Sequence, residues 1–80
     1  MMVKTVFYVG ESIEQRDLPT HIFTATSFSI LKDRKGEGST ITAWHLVDST
    51  LEELFEYVLD LKSEMFKRFR NVVLVEVVVR

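Results

Sequence analysis

The stretch Ser49 to Arg70, S-T-L-E-E-L-F-E-Y-V-L-D-L-K-S-E-M-F-K-R-F-R, decides the fold. Leu51, Leu54, Phe55, Val58, Leu61, Met65 and Phe69 recur at helical spacing as one continuous apolar stripe. Asp48, Ser49 and Thr50 are all good N-caps. Ser49 with Glu52, or Thr50 with Glu53, matches a capping box, in which two orphan N–H groups are satisfied reciprocally. Early acids (Glu52, Glu53, Glu56) and late bases (Lys67, Arg68, Arg70) complement the helix dipole. Asn71 suits a left-handed cap after the last turn. Burying the stripe is worth roughly 10–20 kcal/mol before entropy, at ~1.5–3 kcal/mol per side chain. This is the only helix the sequence predicts, and it closes one face of a sheet.

The flanking segments read as strands. Met2 to Val9 carries apolar residues on both sides, as expected for a strand covered on both faces. His21 to Leu31 alternates Ile22, Thr24, Thr26, Phe28 and Ile30 with Phe23, Ala25, Ser27, Ser29 and Leu31. Ser39 to Val47 alternates Ile41, Ala43, His45 and Val47 with Thr40, Thr42, Trp44 and Leu46. The turn K-D-R-K-G-E-G between them makes a hairpin. After the helix, Val72 to Arg80 places Val73, Val75, Val77 and Val79 on one side, and Val72, Leu74, Glu76 and Val78 on the other. Gly10 to Thr20 is a long connection containing the only proline, Pro19, which cannot donate to a ladder.

These readings predict an α+β fold. They give one βββαβ domain over residues 1–80, a four-stranded mixed sheet with one amphipathic helix, about 49–70, packed on one face. If strands 1–2 and 2–3 are antiparallel neighbours, the last strand runs parallel to strands 1 and 3. The strand order is then 3-2-1-4 or 1-2-3-4, with a right-handed crossover through the helix. The uncovered sheet face should be apolar, drawing on Val6, Tyr8, Phe28, Ile30, Trp44, Leu46, Val72, Leu74 and Val78. Large exposed patches usually mark interaction sites. Ile13 and Leu18 of the long connection are the alternative cover for that face.

Composition narrows the chemistry. A chain of 80 residues supports one core. There is no cysteine, so disulfides and thiolate metal sites are excluded, and a cytoplasmic location is expected. No apolar run approaches the ~20 residues that span a bilayer, so no membrane role is expected. The N-terminus reads as a strand and not as a leader peptide. His21 and His45 have no metal-ligand spacing, and no G-x-S-x-G elbow or phosphate-binding loop is present. No cofactor, metal or catalytic residue is expected.

Charge is patterned although the net charge is only −2. In the predicted topology Glu11, Glu14, Asp17, Asp48, Glu52, Glu53 and Glu56 gather at one end. Lys32, Arg34, Lys35, Lys67, Arg68 and Arg70 gather at the other. Glu52, Glu56, Asp60 and Glu64 form an acidic line along the helix back, which reads as a solvated face or as a dock for a basic partner.

Strands, then T-L-E-E-L opening an amphipathic helix, then a valine-rich strand, is similar to the layout of many small accessory proteins. Phage-encoded inhibitors of host enzymes and some antitoxins are among them. The resemblance implies non-catalytic protein binding, as a homodimer or as an inhibitor or adaptor of a larger protein. Tyr8, Phe28, Trp44, Leu46, Leu74 and Val78 are the expected interface anchors. The alternative is a single-stranded nucleic-acid binder that uses the basic end and stacks bases on Tyr8, Phe28 and Trp44.

Overall fold

A computed structural model describes residues 1–48 and 50–80, with the side chains of all of these except Phe23 and Leu51. Strands β1 (Met2–Val9), β2 (Ser27–Lys32), β3 (Ser39–Leu46) and β4 (Val73–Val79) form one sheet in the order β2-β3-β1-β4. Every pairing is antiparallel. A one-turn helix α1 (Thr20–Phe23) lies between β1 and β2, and the long helix α2 (Leu51–Arg68) lies between β3 and β4. The α+β class and the amphipathic helix agree with the sequence. The mixed sheet, the βββαβ order and both expected strand orders are corrected.

One assumption produced those errors. Residues 10–26 are not a hairpin loop but a crossover that carries the chain past β3. β1 and β2 therefore run in the same direction on either side of β3, just as β3 and β4 run in the same direction on either side of β1. The result is a β-α-β-β-α-β element order with two interleaved, split βαβ units. The expected strand at His21 to Leu31 shortens to Ser27–Lys32 because its first residues turn into α1. Pro19 stands at the N-cap of that turn, where its missing N–H costs nothing. Thr24 closes the turn by donating from its backbone N–H and its hydroxyl to the Thr20 carbonyl.

The crossover builds half of the second layer. Ile13, Leu18 and Ile22 are buried with Phe7, Val9, Ile41, Ala43, Leu61, Met65, Phe69 and Val72. Ile13 and Leu18 do plug an apolar surface, but on the helix side of the sheet and not on the open side. Ser39 pins the segment down: its hydroxyl accepts from the Ile13 N–H at 3.4 Å and donates to the Glu11 carbonyl at 3.0 Å. A polar group fully buried on β3 is thereby satisfied.

Central position explains the β1 pattern. Val3, Thr5, Phe7 and Val9 are buried under the helices, and Met2, Lys4, Val6 and Tyr8 lie half-buried on the open face. Thr5 is buried, and its hydroxyl has no hydrogen-bond partner among the described residues. An unsatisfied buried hydroxyl costs about 1–3 kcal/mol. Thr5→Val, which exchanges that hydroxyl for a methyl of similar shape, is expected to raise stability by about 1 kcal/mol, read from the urea midpoint at unchanged slope. A loss of stability would mean that the hydroxyl has a partner in solution.

β4 departs from simple alternation. Val6 opposes Glu76, but Phe7 opposes Leu74, so Val75 is an inserted bulge residue. Beyond the bulge the faces exchange. Leu74, Val77 and Val79 stand on the helix side opposite Phe7, Thr5 and Val3. Val73, Glu76 and Val78 stand on the open side opposite Tyr8, Val6 and Lys4. The expected all-valine face is thus split by one residue, as any shift of one residue in a strand must do.

In α2, Thr50 is the N-cap, and its hydroxyl accepts from the Glu53 N–H at 3.3 Å. The Ser49 alternative lies outside the described residues. Glu52 and Glu53 fill the first turn, and Lys67 and Arg68 the last. Leu54, Leu61, Met65 and Phe69 of the expected stripe are buried, Val58 is half-buried and Phe55 is exposed. The Leu51 side chain lies outside the described set. Asn71 takes the positive φ expected of it, 54°, one residue after Arg70 and against Gly10. A Cβ at position 10 would come within 2.8 Å of the Asn71 side chain, so the glycine permits this close approach.

Candidate functional site

The open sheet face is a mixed surface, not the apolar patch expected. The strand registers place Ser27, Trp44, Lys4 and Val78 in one row across it, Ser29, Thr42, Val6 and Glu76 in the next, and Leu31, Thr40, Tyr8 and Val73 in a third. Tyr8, Trp44 and Val78 are half-buried here, and Leu46 is exposed. The Lys4 ammonium lies 5.5 Å from the Trp44 ring centroid, within cation–π range. The Tyr8 hydroxyl donates to Asp33 Oδ2 at 3.2 Å, which draws the 33–38 turn against this face. That bond and the Asp33 charge raise the Tyr8 pKa above its ordinary value.

Phe28 and Leu74 were expected on the open face, and the structure places both on the helix side. Phe28 opposes Ala43 and Leu74 opposes Phe7, and both pack against the core. Ile30 and Val72 move likewise. The β2–β3 register sets Phe28 and Ile30 opposite the buried Ala43 and Ile41, and the β4 bulge turns Leu74 inward.

The larger apolar surface lies along α2 and the β4 edge. Leu54, Phe55, Val58, Leu59, Leu74, Val77 and Val79 line a groove of about 510 Å³, with Lys62 as the one charged lining residue among the described residues. Phe55 is 67% exposed, Leu59 48% and Val79 44%. Helical geometry accounts for this surface. At 3.6 residues per turn the apolar arc runs from Tyr57 through Leu61, Leu54 and Met65 to Phe55, Phe66 and Leu59, roughly 200° in all. The sheet and crossover cover only part of it, and the remainder overhangs the last strand. The width of the arc was visible in the sequence at Tyr57 and Phe66. Leu59 lies at the rim of the arc, outside the central stripe of the sequence.

Charge is less segregated than expected. β1 ends beside Arg70, whose carbonyl accepts from the Gly10 N–H, so the crossover begins at the basic end. Glu11 accepts from the Arg70 N–H at 3.0 Å, and Glu14 pairs with Lys32. Two of the acids assigned to the acidic end thus lie among the bases. Arg34 and Lys35 sit in the turn held against the open face, whereas Lys67 and Arg68 end the helix on the other side. The six bases do not form a single patch. Glu52, Glu56 and Asp60 are exposed along the back of α2.

At the opposite end His45 and Tyr57 face each other edge-on, with ring centroids 5.1 Å apart, and His21 meets Tyr57 at 6.0 Å. His45 Nε2 lies 3.0 Å from the His21 carbonyl and is therefore the protonated nitrogen of the neutral ring. Nδ1 is buried with no partner among the described residues. A second proton there would be buried without an acceptor, and burial lowers the His45 pKa below 6.5. Burial pushes Tyr57 up to about 12. The sign follows from linkage: the folded state prefers neutral His45, so its contribution is full above pH 6.5 and is lost as pH falls below that value through the lowered pKa. An NMR titration is expected to give His45 a midpoint below 6.5, and His45→Gln should flatten the stability loss that sets in below pH 6.5. A midpoint above 6.5 would refute the buried-neutral assignment. Among the described residues no group of three or more His, Asp or Glu is arranged to hold a metal ion, and no helix is long and apolar enough to cross a membrane.

The fold and its surfaces define a small open-faced α+β domain with an apolar groove beside an edge strand. No protein-family model, curated protein or solved structure matches the chain.

Proposed function

We propose that the chain is a small non-catalytic protein-interaction module that docks through the α2–β4 side, as a homodimer or as an inhibitor or adaptor of a larger protein. The groove carries this reading. Seven apolar side chains and one lysine line it, and it adjoins a strand whose outer edge is unpaired in the single chain. An apolar surface next to free backbone donors and acceptors suits strand addition, with hydrogen bonds supplying affinity and the groove supplying selectivity. The layout shared with small accessory proteins agrees with it. A photoreactive residue replacing Phe55 should give protein adducts in the source cell that the same residue replacing Ser63, on the polar face of α2, does not. Equal yields at the two positions, or none at Phe55, overturn the reading.

A second reading rests on a separate observation, the pairing of Lys4 with Trp44 and the placement of Tyr8 on the two central strands of the open face. Aromatic residues on a sheet face stack unpaired bases. Quenching of Trp44 fluorescence by single-stranded oligonucleotides, steeply weakened by salt and abolished when Lys4 is replaced, would favour it.

A further inference from the structure

We propose that the occupant of the α2–β4 side is a second copy of this chain, joined by antiparallel pairing of β4 with β4 about a twofold axis at Val78; this rests on the docking reading above and fixes its partner and register. The backbone sets which residues can pair. Met2 and Arg80 exchange both of their backbone bonds, each at 2.8 Å, so Arg80 faces β1. Alternation then turns Val78 and Glu76 toward β1, and Val77 and Val79 outward. A new antiparallel strand bonds only to outward-facing residues, so Val77 and Val79 must oppose outward-facing residues of the partner.

Charge then selects among the allowed registers. An axis at Glu76 would oppose Glu76 to itself. An axis at Val77 would oppose Glu76 to the partner's Val78. An axis at Val78 opposes Val77 to the partner's Val79 as hydrogen-bonded pairs, and Glu76 to the partner's Arg80 as non-hydrogen-bonded pairs, where side chains approach most closely. Symmetry makes two Glu–Arg pairs. Both lie on the open face, flanking Val78 against the partner's Val78. On the other face the twofold brings the two grooves together over the valine pairs, so that Phe55 and Leu59 gain the cover they lack in one chain. The contact is isologous and closed, and it consumes the exposed edge of β4.

Sedimentation equilibrium tests the proposal. The full chain should sediment at about twice 9.3 kDa. Glu76→Arg alone opposes arginine to arginine twice, and Arg80→Glu alone opposes glutamate to glutamate twice. Each should weaken association by roughly ten-fold or more while circular dichroism stays that of the folded chain. Mixed in equal amounts, the two variants restore both opposite-charge pairs and should reassociate as a heterodimer. A wild-type mass of one chain at about 100 μM, far above the dissociation constant of a functional dimer, overturns the proposal. So does a dimer indifferent to the charge exchanges. If the photoreactive residue at Phe55 then captures a different protein, the docking reading stands and only the second copy falls; if Phe55 captures nothing, both fall.

Discussion

Phe7→Ala is expected to remove 3–5 kcal/mol of stability, the usual cost of truncating a fully buried phenylalanine. Phe7 has no exposed surface, lies on a central strand, and stands between Ile41 and Leu74 in the register. Its ring is the part of the sheet on which the crossover and α2 both close. An 80-residue domain has roughly 4–12 kcal/mol in total, at ~0.05–0.15 kcal/mol per residue. The variant should therefore lose a large share of that total. Urea denaturation would show a midpoint lower by roughly 3–5 M, since the slope for so small a domain is about 1 kcal/mol per M. Val6→Ala, one residue away on the half-buried open face, should cost about 1 kcal/mol or less. Equal costs at the two positions would mean that the open face is as well covered as the helix side.

Some of this fold was legible in the residues and some was not, for reasons that can be located. The α2 stripe, its N-cap at Thr50 and the left-handed Asn71 are local features, set by spacing and side-chain chemistry within a few residues. β1 and β3 were legible too, because alternation survives wherever a strand has one buried face. Strand order was not. It depended on whether residues 10–26 return the chain beside β1 or carry it past β3, and the buried contacts that decide this, Ile13, Leu18 and Ile22 against Phe7 and Ile41, are far apart in sequence. The β4 faces failed differently. A bulge at Val75 leaves no mark in a run of valines, because either register keeps the strand apolar. That single insertion moved Leu74 from the expected interface to the core. It also turned Val73 to the open side opposite Tyr8, while Val77 and Val79 kept the helix side expected of the valine face. Tyr8, Trp44 and Leu46 stand on the open face because alternation runs unbroken along β1 and β3, and Val78 stands there because it lies on the far side of the bulge from Leu74.

Leu61→Ala and Phe55→Ala should separate the two functions of the helix surface. Leu61 is fully buried in the core cluster, and its truncation is expected to cost 2–5 kcal/mol. Phe55 belongs to the same apolar arc but is 67% exposed, so its truncation should change the stability of a single chain by no more than about 0.5 kcal/mol. In the proposed dimer the order should reverse for association, since Phe55 would gain its cover there and Leu61 already has it. Denaturation at submicromolar concentration reads the first quantity and sedimentation the second, because only the second depends on protein concentration. Phe55→Ala should leave the urea midpoint of the dilute chain in place and weaken self-association. A large stability loss for dilute Phe55→Ala would place the ring inside the core of a single chain. The groove would then be closed in solution, and the overhang of α2 beyond β4 would no longer argue for a partner.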